Sequence, residues 1–336
     1  MSTQAFWRRV FGFVLAGALV MGWMAGPAEA AKPVNKIRVA IGHNGATRDM
    51  GWYASGNQGA MSLKKDPGVA EVTWQENIKI PDIEGVMRRW AIDGYDLIIG
   101  HSFEFGEPAR KLAPLFPKIV FAVPYFFKIK GQPNLVTYGV QAEGASYMAG
   151  VLAALMSKTK KIGYMSGFPV PNTISAHNLY KRGARAVVPN IQVPRVFVDS
   201  WSDANKTKEA AIAMIDQGVD VIWGTHSPGL LGGILAAEER NIFAIGCYFD
   251  NTPVAPKNVL TSVEYLWHTA MKKMVQGVAK GKVSKFNMIA QKDGGAGLAP
   301  FHAKVPADVI KKVRAFEKDI LAGKINVAFD GKKLLD

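Results

Sequence analysis

Cysteine is almost absent from this chain of 336 residues: Cys247 is the only one. A single thiol excludes an intrachain disulfide and a thiolate metal cluster, so stability has to come from a sizeable core. The six histidines never fall at H-x-x-x-H or H-E-x-x-H spacing, which removes the usual helical zinc pairs. No G-x-S-x-G elbow is present, so a hydrolase nucleophile on a strand-to-helix turn is not indicated. The glycines at Gly229 to Gly233 lack both the G-K-[ST] ending and the G-x-G-x-x-G spacing of phosphate cradles, and read as a place for close helix packing. Beyond residue 30 no run is long and apolar enough to span a bilayer. Acidic residues are outnumbered, 27 to 41, for a formal charge of +14. The lysines are scattered in short groups such as Lys158, Lys160 and Lys161, so the excess reads as a solvated basic surface and not a nucleic-acid site. Contact with anionic membranes or solutes stays open.

The first thirty residues have the order of a secretory signal peptide. Arg8-Arg9 precede an apolar run from Val10 to Met24, and Ala28-Glu29-Ala30 supplies a small-residue cleavage site. The run is about 15 residues, short of the roughly 20 that cross a membrane; an uncleaved anchor is the alternative. With no cysteine near the cleavage site, the mature protein is expected to be periplasmic and free of a lipid anchor; a monomer is the default expected of a hinged two-lobe clamp.

From Lys36 onward, five-residue runs rich in Ile and Val alternate with amphipathic stretches. The pattern predicts strands at Ile37 to Ile41, Val69 to Trp74, Tyr95 to Ile99, Ile119 to Val123 and Leu135 to Val140. Helices are expected between them. A second set follows at Lys161 to Met165, Arg195 to Val198, Asp220 to Trp223 and Ile242 to Ile245, with one more strand after Val259. Apolar strands separated by helices are those of parallel sheets covered on both faces. The fold class expected is therefore α/β, two doubly wound domains joined by a multi-strand hinge. One lobe comprises residues 33–140 plus about 250–280, the other 141–249 plus about 281–336, with seams near 138–144 and 248–258.

Open parallel sheets bind ligands beyond the carboxyl ends of their strands. Residues after each strand are therefore the candidates: Asp49 and Trp52 in the first loop, then His101, Ser102 and Phe103 in the third. The second domain adds Phe168 and Asn172, then Trp201, then Thr225 and His226, then Tyr248 and Asp250, with Glu264 from the late strand. Aromatic rings recur at these ends, and loop tips seldom expose such rings without use. Two rings across a cleft would sandwich a flat solute while Asp49, Asn172, Asp250 or Glu264 read its edge. The alternative is that the rings only pack the interface. His101 and His226 are the sole acid–base candidates, and no nucleophile accompanies them; Cys247 follows a buried strand as a small core residue.

These loops resemble the basic membrane protein (Bmp/PnrA-like) family of ABC-transporter substrate-binding proteins, over nearly the whole mature chain. The resemblance rests on Asp49-Met-Gly-Trp52 with Gly59, on His101-Ser-Phe103, and on Gly163-Tyr164 leading to Pro169-Val-Pro171. Ser200-Trp201, Ile215 to Ile222 and Val259-Leu-Thr-Ser262 add to it. It implies a type I periplasmic binding protein fold and an interdomain purine or nucleoside site with an aromatic stack, closed by hinge motion. Nucleoside-binding members carry an aspartate two residues after the glycine that is Gly246 here, and a lysine after the Leu-Thr-Ser segment; this chain has Tyr248 and Tyr265. Both charges are linked to ribose recognition, so the resemblance points to a free purine base or related heterocycle. The expected protein is no enzyme, needs no cofactor or metal, and hands a small-molecule ligand to an ABC permease in the inner membrane. A nucleoside- or sugar-binding receptor of the same fold, a sensory receptor, and a periplasmic enzyme using His101 or His226 are the alternatives.

Overall fold

In the computed structural model, which describes residues 36–302 and 304–335, strand β1 (Ile37–Gly42) shows why the chain folds in layers. Ile37, Val39 and Ile41 pack into one apolar cluster, while Ala40, pointing the opposite way, joins another. Both faces are apolar, so both must be covered by helices. The same division holds at β3 (Leu97–Gly100) and β4 (Val120–Val123).

With β2 (Val69–Gln75), β5 (Leu135–Val140) and β11 (Phe286–Ile289), these strands form a sheet of order β11-β5-β4-β3-β1-β2, parallel throughout. Helices α1 (Trp52–Ser62), α2 (Ile83–Ile92), α3 (Gly106–Leu112) and α8 (Trp267–Ala279) belong to this lobe. The second sheet runs β12 (Ala296–Leu298), β10 (Val259–Tyr265), β9 (Phe243–Tyr248), β8 (Val221–Gly224), β6 (Ile162–Ser166), β7 (Arg195–Phe197). It is parallel except for the β10–β12 pair. Helices α4 (Glu143–Met156), α5 (Pro171–Val187), α6 (Ala204–Asp216), α7 (Leu230–Glu239) and α9 (Ala307–Leu321) accompany it. Two doubly wound parallel α/β lobes are thus present, as the strand pattern predicts.

The chain crosses between lobes three times: from β5 into α4, from β10 into α8, and from β11 to β12. The first crossing falls at the expected seam near 138–144. The second expected seam, 248–258, is displaced: β9 and β10 are hydrogen-bonded neighbours, so the chain leaves this lobe only after Tyr265. Residues 259–265 therefore lie in the second sheet, and 286–289 in the first, the reverse of the expected assignment. Val259–Tyr265 is apolar enough for either sheet, and only its partner decides. Strands β11 and β12 were not predicted. The first interrupts its apolar run with Asn287, whose amide donates to the carbonyls of Ser284 (2.7 Å) and Thr137 (3.3 Å); the second is three residues long.

Among the described residues, no helix is long and apolar enough to cross a membrane. The expected signal peptide, residues 1–30, lies outside the described residues.

Candidate functional site

In each sheet the strand order reverses beside a central strand, between β1 and β3 in one and between β6 and β8 in the other. Crevices at such reversals are where open α/β sheets take ligands. The loops beyond those four strands meet around a cavity of about 150 Å³.

Trp52 forms the floor. It opens α1 and is half-buried, with one face of its indole stacked on His101 at 5.0 Å and 25°. Its indole N–H donates to the carbonyl of His101 at 3.0 Å, and the edges of Tyr248 and Trp267 hold it from the sides. The ring is therefore fixed in angle with its donor already engaged, leaving it to offer π surface to the cavity. Phe103 and Trp201 stand on opposite lobes and remain 49% and 39% exposed, large for rings of that size. Phe168 does not reach the cavity. It packs edge-on against Trp201 at 5.2 Å and props that ring.

Seven of the expected residues line this space: Trp52, Ser102, Phe103, Asn172, Trp201, Thr225 and Tyr248. The polar ones differ in what they can offer. The hydroxyl of Ser102 is buried with no partner. Asn172 points into the cavity from the first turn of α5 without a side-chain hydrogen bond. Thr225 is already engaged by the hydroxyls of Tyr164 and Ser166, and its carbonyl accepts from Tyr248 at 3.1 Å.

The other expected residues do not line this cavity. Asp49 is spent on backbone: Oδ1 accepts the amides of Gly51 (3.0 Å) and Ala54 (2.8 Å), and Oδ2 that of Tyr53 (3.2 Å). An anionic cap for the first turn of α1 is its physical role. His101 is fully buried behind Trp52, with Nδ1 2.6 Å from the hydroxyl of Tyr138. His226 is buried too, and Nε2 lies 3.0 Å from the hydroxyl of Thr207. Asp250 caps its own turn by accepting the amide of Thr252. Glu264 is the strand neighbour of Tyr265, and neighbours face opposite sides; Tyr265 lines the cavity and Glu264 does not.

Residues not expected also line the space: Tyr53, Glu104, Phe126 and Ser227 among them. Phe126 follows β4, and the strand-end rule applied to that strand finds it. Ser227 joins the lobes. Its hydroxyl donates to Asp49 Oδ2 at 3.0 Å and accepts the amide of Trp52 at 3.2 Å. Asn251 adds a second link, donating to the carbonyl of Met50 at 2.6 Å.

Burial sets the protonation states. It drives the imidazole of His101 well below its usual range and that of His226 down to about 4, so both are neutral bases without exposed nitrogens. Burial also pushes the Cys247 thiol up, away from the reactive thiolate. Among the described residues no group of His, Cys, Asp and Glu could hold a metal. The arrangement offers aromatic faces and a few polar groups to a cavity, and His101, His226 and the Cys247 thiol are buried.

The model of the Bmp family, described as "ABC transporter substrate-binding protein PnrA-like", matches residues 36–329. The chain belongs to this family. It is 33% identical to a purine-binding protein of Brucella abortus, over 92% of this chain and 87% of that one. It is 25% identical to a putative ABC transporter glucose-binding protein of Haloferax volcanii, over 91% and 78%. An ABC-transporter solute-binding protein from Conexibacter woesei superposes with a TM-score of 0.73 at 22% identity, covering 87% of this chain and 99% of that one. At that identity the likeness establishes the fold, the type I arrangement of periplasmic solute-binding proteins.

This Bmp-family protein is therefore an ABC-transporter substrate-binding protein and not an enzyme. Proteins of this kind bind a small molecule and present it to a permease. The neutral, fully buried histidines and the thiol held up by burial agree with that role.

Proposed function

We propose that this Bmp-family protein binds a free purine base or a related flat heterocycle between its lobes and delivers it, as an extracytoplasmic monomer, to an ABC permease. One observation carries the reading. Trp52 is locked by His101 and has its N–H tied off, while Phe103 and Trp201 stay partly exposed around the same cavity. An aromatic base inserted there would cover those rings, and base–aromatic stacking is worth about 1–3 kcal/mol per base. The purine-binding relative in Brucella supports the ligand class. The tyrosines at 248 and 265 support a base without ribose: each is pushed well above the usual phenol range by burial and brings no charge to a sugar. Ser102 and Asn172, whose polar side chains are unpaired, read the edge of the ring.

The ligand touches both lobes, so it favours the closed arrangement only by its extra affinity for that form. Closure then presents a composite surface to the permease.

Calorimetric titration with adenine, adenosine and glucose, on the wild type and on Trp52→Ala, tests the assignment. Adenine is expected to bind the wild type at least tenfold more tightly than adenosine, and Trp52→Ala to lose more than tenfold. Glucose binding with no response to adenine would replace the assignment by the sugar reading that the Haloferax relative's name suggests. Adenosine preferred over adenine would mean that the two tyrosines do not exclude ribose.

A further inference from the structure

Behind the aromatic cavity lies a second one, of about 130 Å³, which shares Phe126, Asn172, Ala176 and Tyr265 with the first. The two are neighbouring compartments with Asn172 and Tyr265 in the common wall. The second sits among the chain crossings, with Val140, Gln141, Ala142 and Glu143 from the first of them.

Glu143 is the informative residue. It opens α4, and its Oε2 is buried without any hydrogen-bond partner. Burial raises its carboxyl above the ordinary range, against a smaller opposing hydrogen bond from its own backbone amide, as expected for a carboxylate largely withdrawn from water with no counter-charge beside it. Gln291, on the third crossing, lies against the same turn: a Cβ on Gly144 would be 2.0 Å from its Oε1. Both polar atoms of that amide are buried and unpartnered. Glu143 and Gln291 together line the outer continuation of this space, where Lys292 is exposed and makes no ion pair with Glu143. Buried polar atoms are nearly always satisfied in folded proteins. A carboxyl oxygen and an amide left open around one space, with no basic side chain among the described residues paired to the carboxyl, therefore ask for a group from outside. Acceptor oxygens dominate the set, so the matching chemistry is a hydrogen-bond donor with positive charge.

We propose that the hinge compartment is a second subsite, in which Glu143 receives an amino or amidine arm carried by the ring-shaped ligand. The inference rests on the ring occupying the aromatic cavity. It adds that the physiological solute is a heterocycle with a cationic substituent. It also gives the ligand a hold on two of the three crossings between lobes, so binding of the arm restrains the hinge itself.

The test compares adenines carrying a 2-aminoethyl arm with those carrying the neutral propyl arm, each attached at N6 or at N9, by titration calorimetry. For at least one attachment point the amine is expected to bind the wild type at least tenfold more tightly than the propyl form. In Glu143→Gln that gap should close to within twofold, while adenine itself binds as before. Equal affinity of the two arms at both positions in the wild type overturns the subsite and leaves the ring assignment standing. If no adenine binds, the ring reading fails by itself, and the subsite is then decided with butylammonium as a bare probe. In that case a carboxyl carbon-13 signal absent from Glu143→Gln should move on titration with butylammonium; an unmoved signal overturns the proposal.

Discussion

The carboxylate of Asp49 accepts three amide hydrogens in the first turn of α1 and the hydroxyl hydrogen of Ser227. Replacing it by alanine strands four donors, three of them in a helix turn that carries Trp52. Unpaired buried donors cost about 1–3 kcal/mol, so Asp49→Ala is expected to lower the melting temperature by several degrees in scanning calorimetry. Ligand affinity should fall too, because the angle of Trp52 depends on that turn. An unchanged melting temperature with lost affinity would return Asp49 to direct contact with the solute. The sequence marked this residue as a ligand contact; the structure places its carboxylate on the first turn of α1 and on Ser227. Acidic residues just after a strand serve equally well as helix caps or as ligand contacts, and the choice depends on where the next amides point. His101 illustrates the same limit: its position at a strand end was legible, but its burial beneath the indole was not.

Helix α1 approaches the opposite lobe so closely that a Cβ on Gly51 would lie 1.7 Å from the hydroxyl oxygen of Ser227. Gly51→Ala must therefore push the lobes apart or displace Ser227. The core of each lobe lies elsewhere, so the expected result is a weaker ligand affinity, by tenfold or more, with little change in melting temperature. Small-angle scattering should show a larger radius of gyration for the unliganded variant. Wild-type affinity and size would mean that the lobes do not close through this contact. Most strands were legible at this scale: Leu135–Val140 has the predicted bounds. Helix α5 begins at Pro171, a residue suited to the first helical position because its missing N–H leaves no bond unmade there, and this puts Asn172 in the first turn at the cavity.

Four histidines, His43, His101, His177 and His226, are buried in the folded molecule. Burial lowers His43, His177 and His226 to about 4, and His101 well below its usual range. The unfolded chain takes up protons at these sites below about pH 6.5, where the folded one does not. Their stabilising contribution is thus complete above about pH 6.5 and is lost progressively as the pH falls towards 4. Each group contributes at most about 1.4 kcal/mol per pH unit across that window. Urea unfolding at pH 7.5, 5.5 and 4.5 is expected to show a midpoint that falls steadily below neutrality. A midpoint constant across those values would mean that the imidazoles reach solvent.

Local chemistry was enough for the sequence to determine the class of molecule. Unbroken Ile and Val runs require sheets covered on both faces, and the aromatic residues after them mark the end at which the candidate cavity opens. What it left undecided is which segments meet. The link from Ser227 to Asp49 and Trp52 and the approach of Gln291 to Gly144 join segments more than a hundred residues apart, while Val259–Tyr265 pairs with Phe243–Tyr248, a strand close in sequence that its apolar pattern does not single out. Periodicity reports which face of an element is apolar. It carries no information on which other element that face meets, and here the site is made by those meetings.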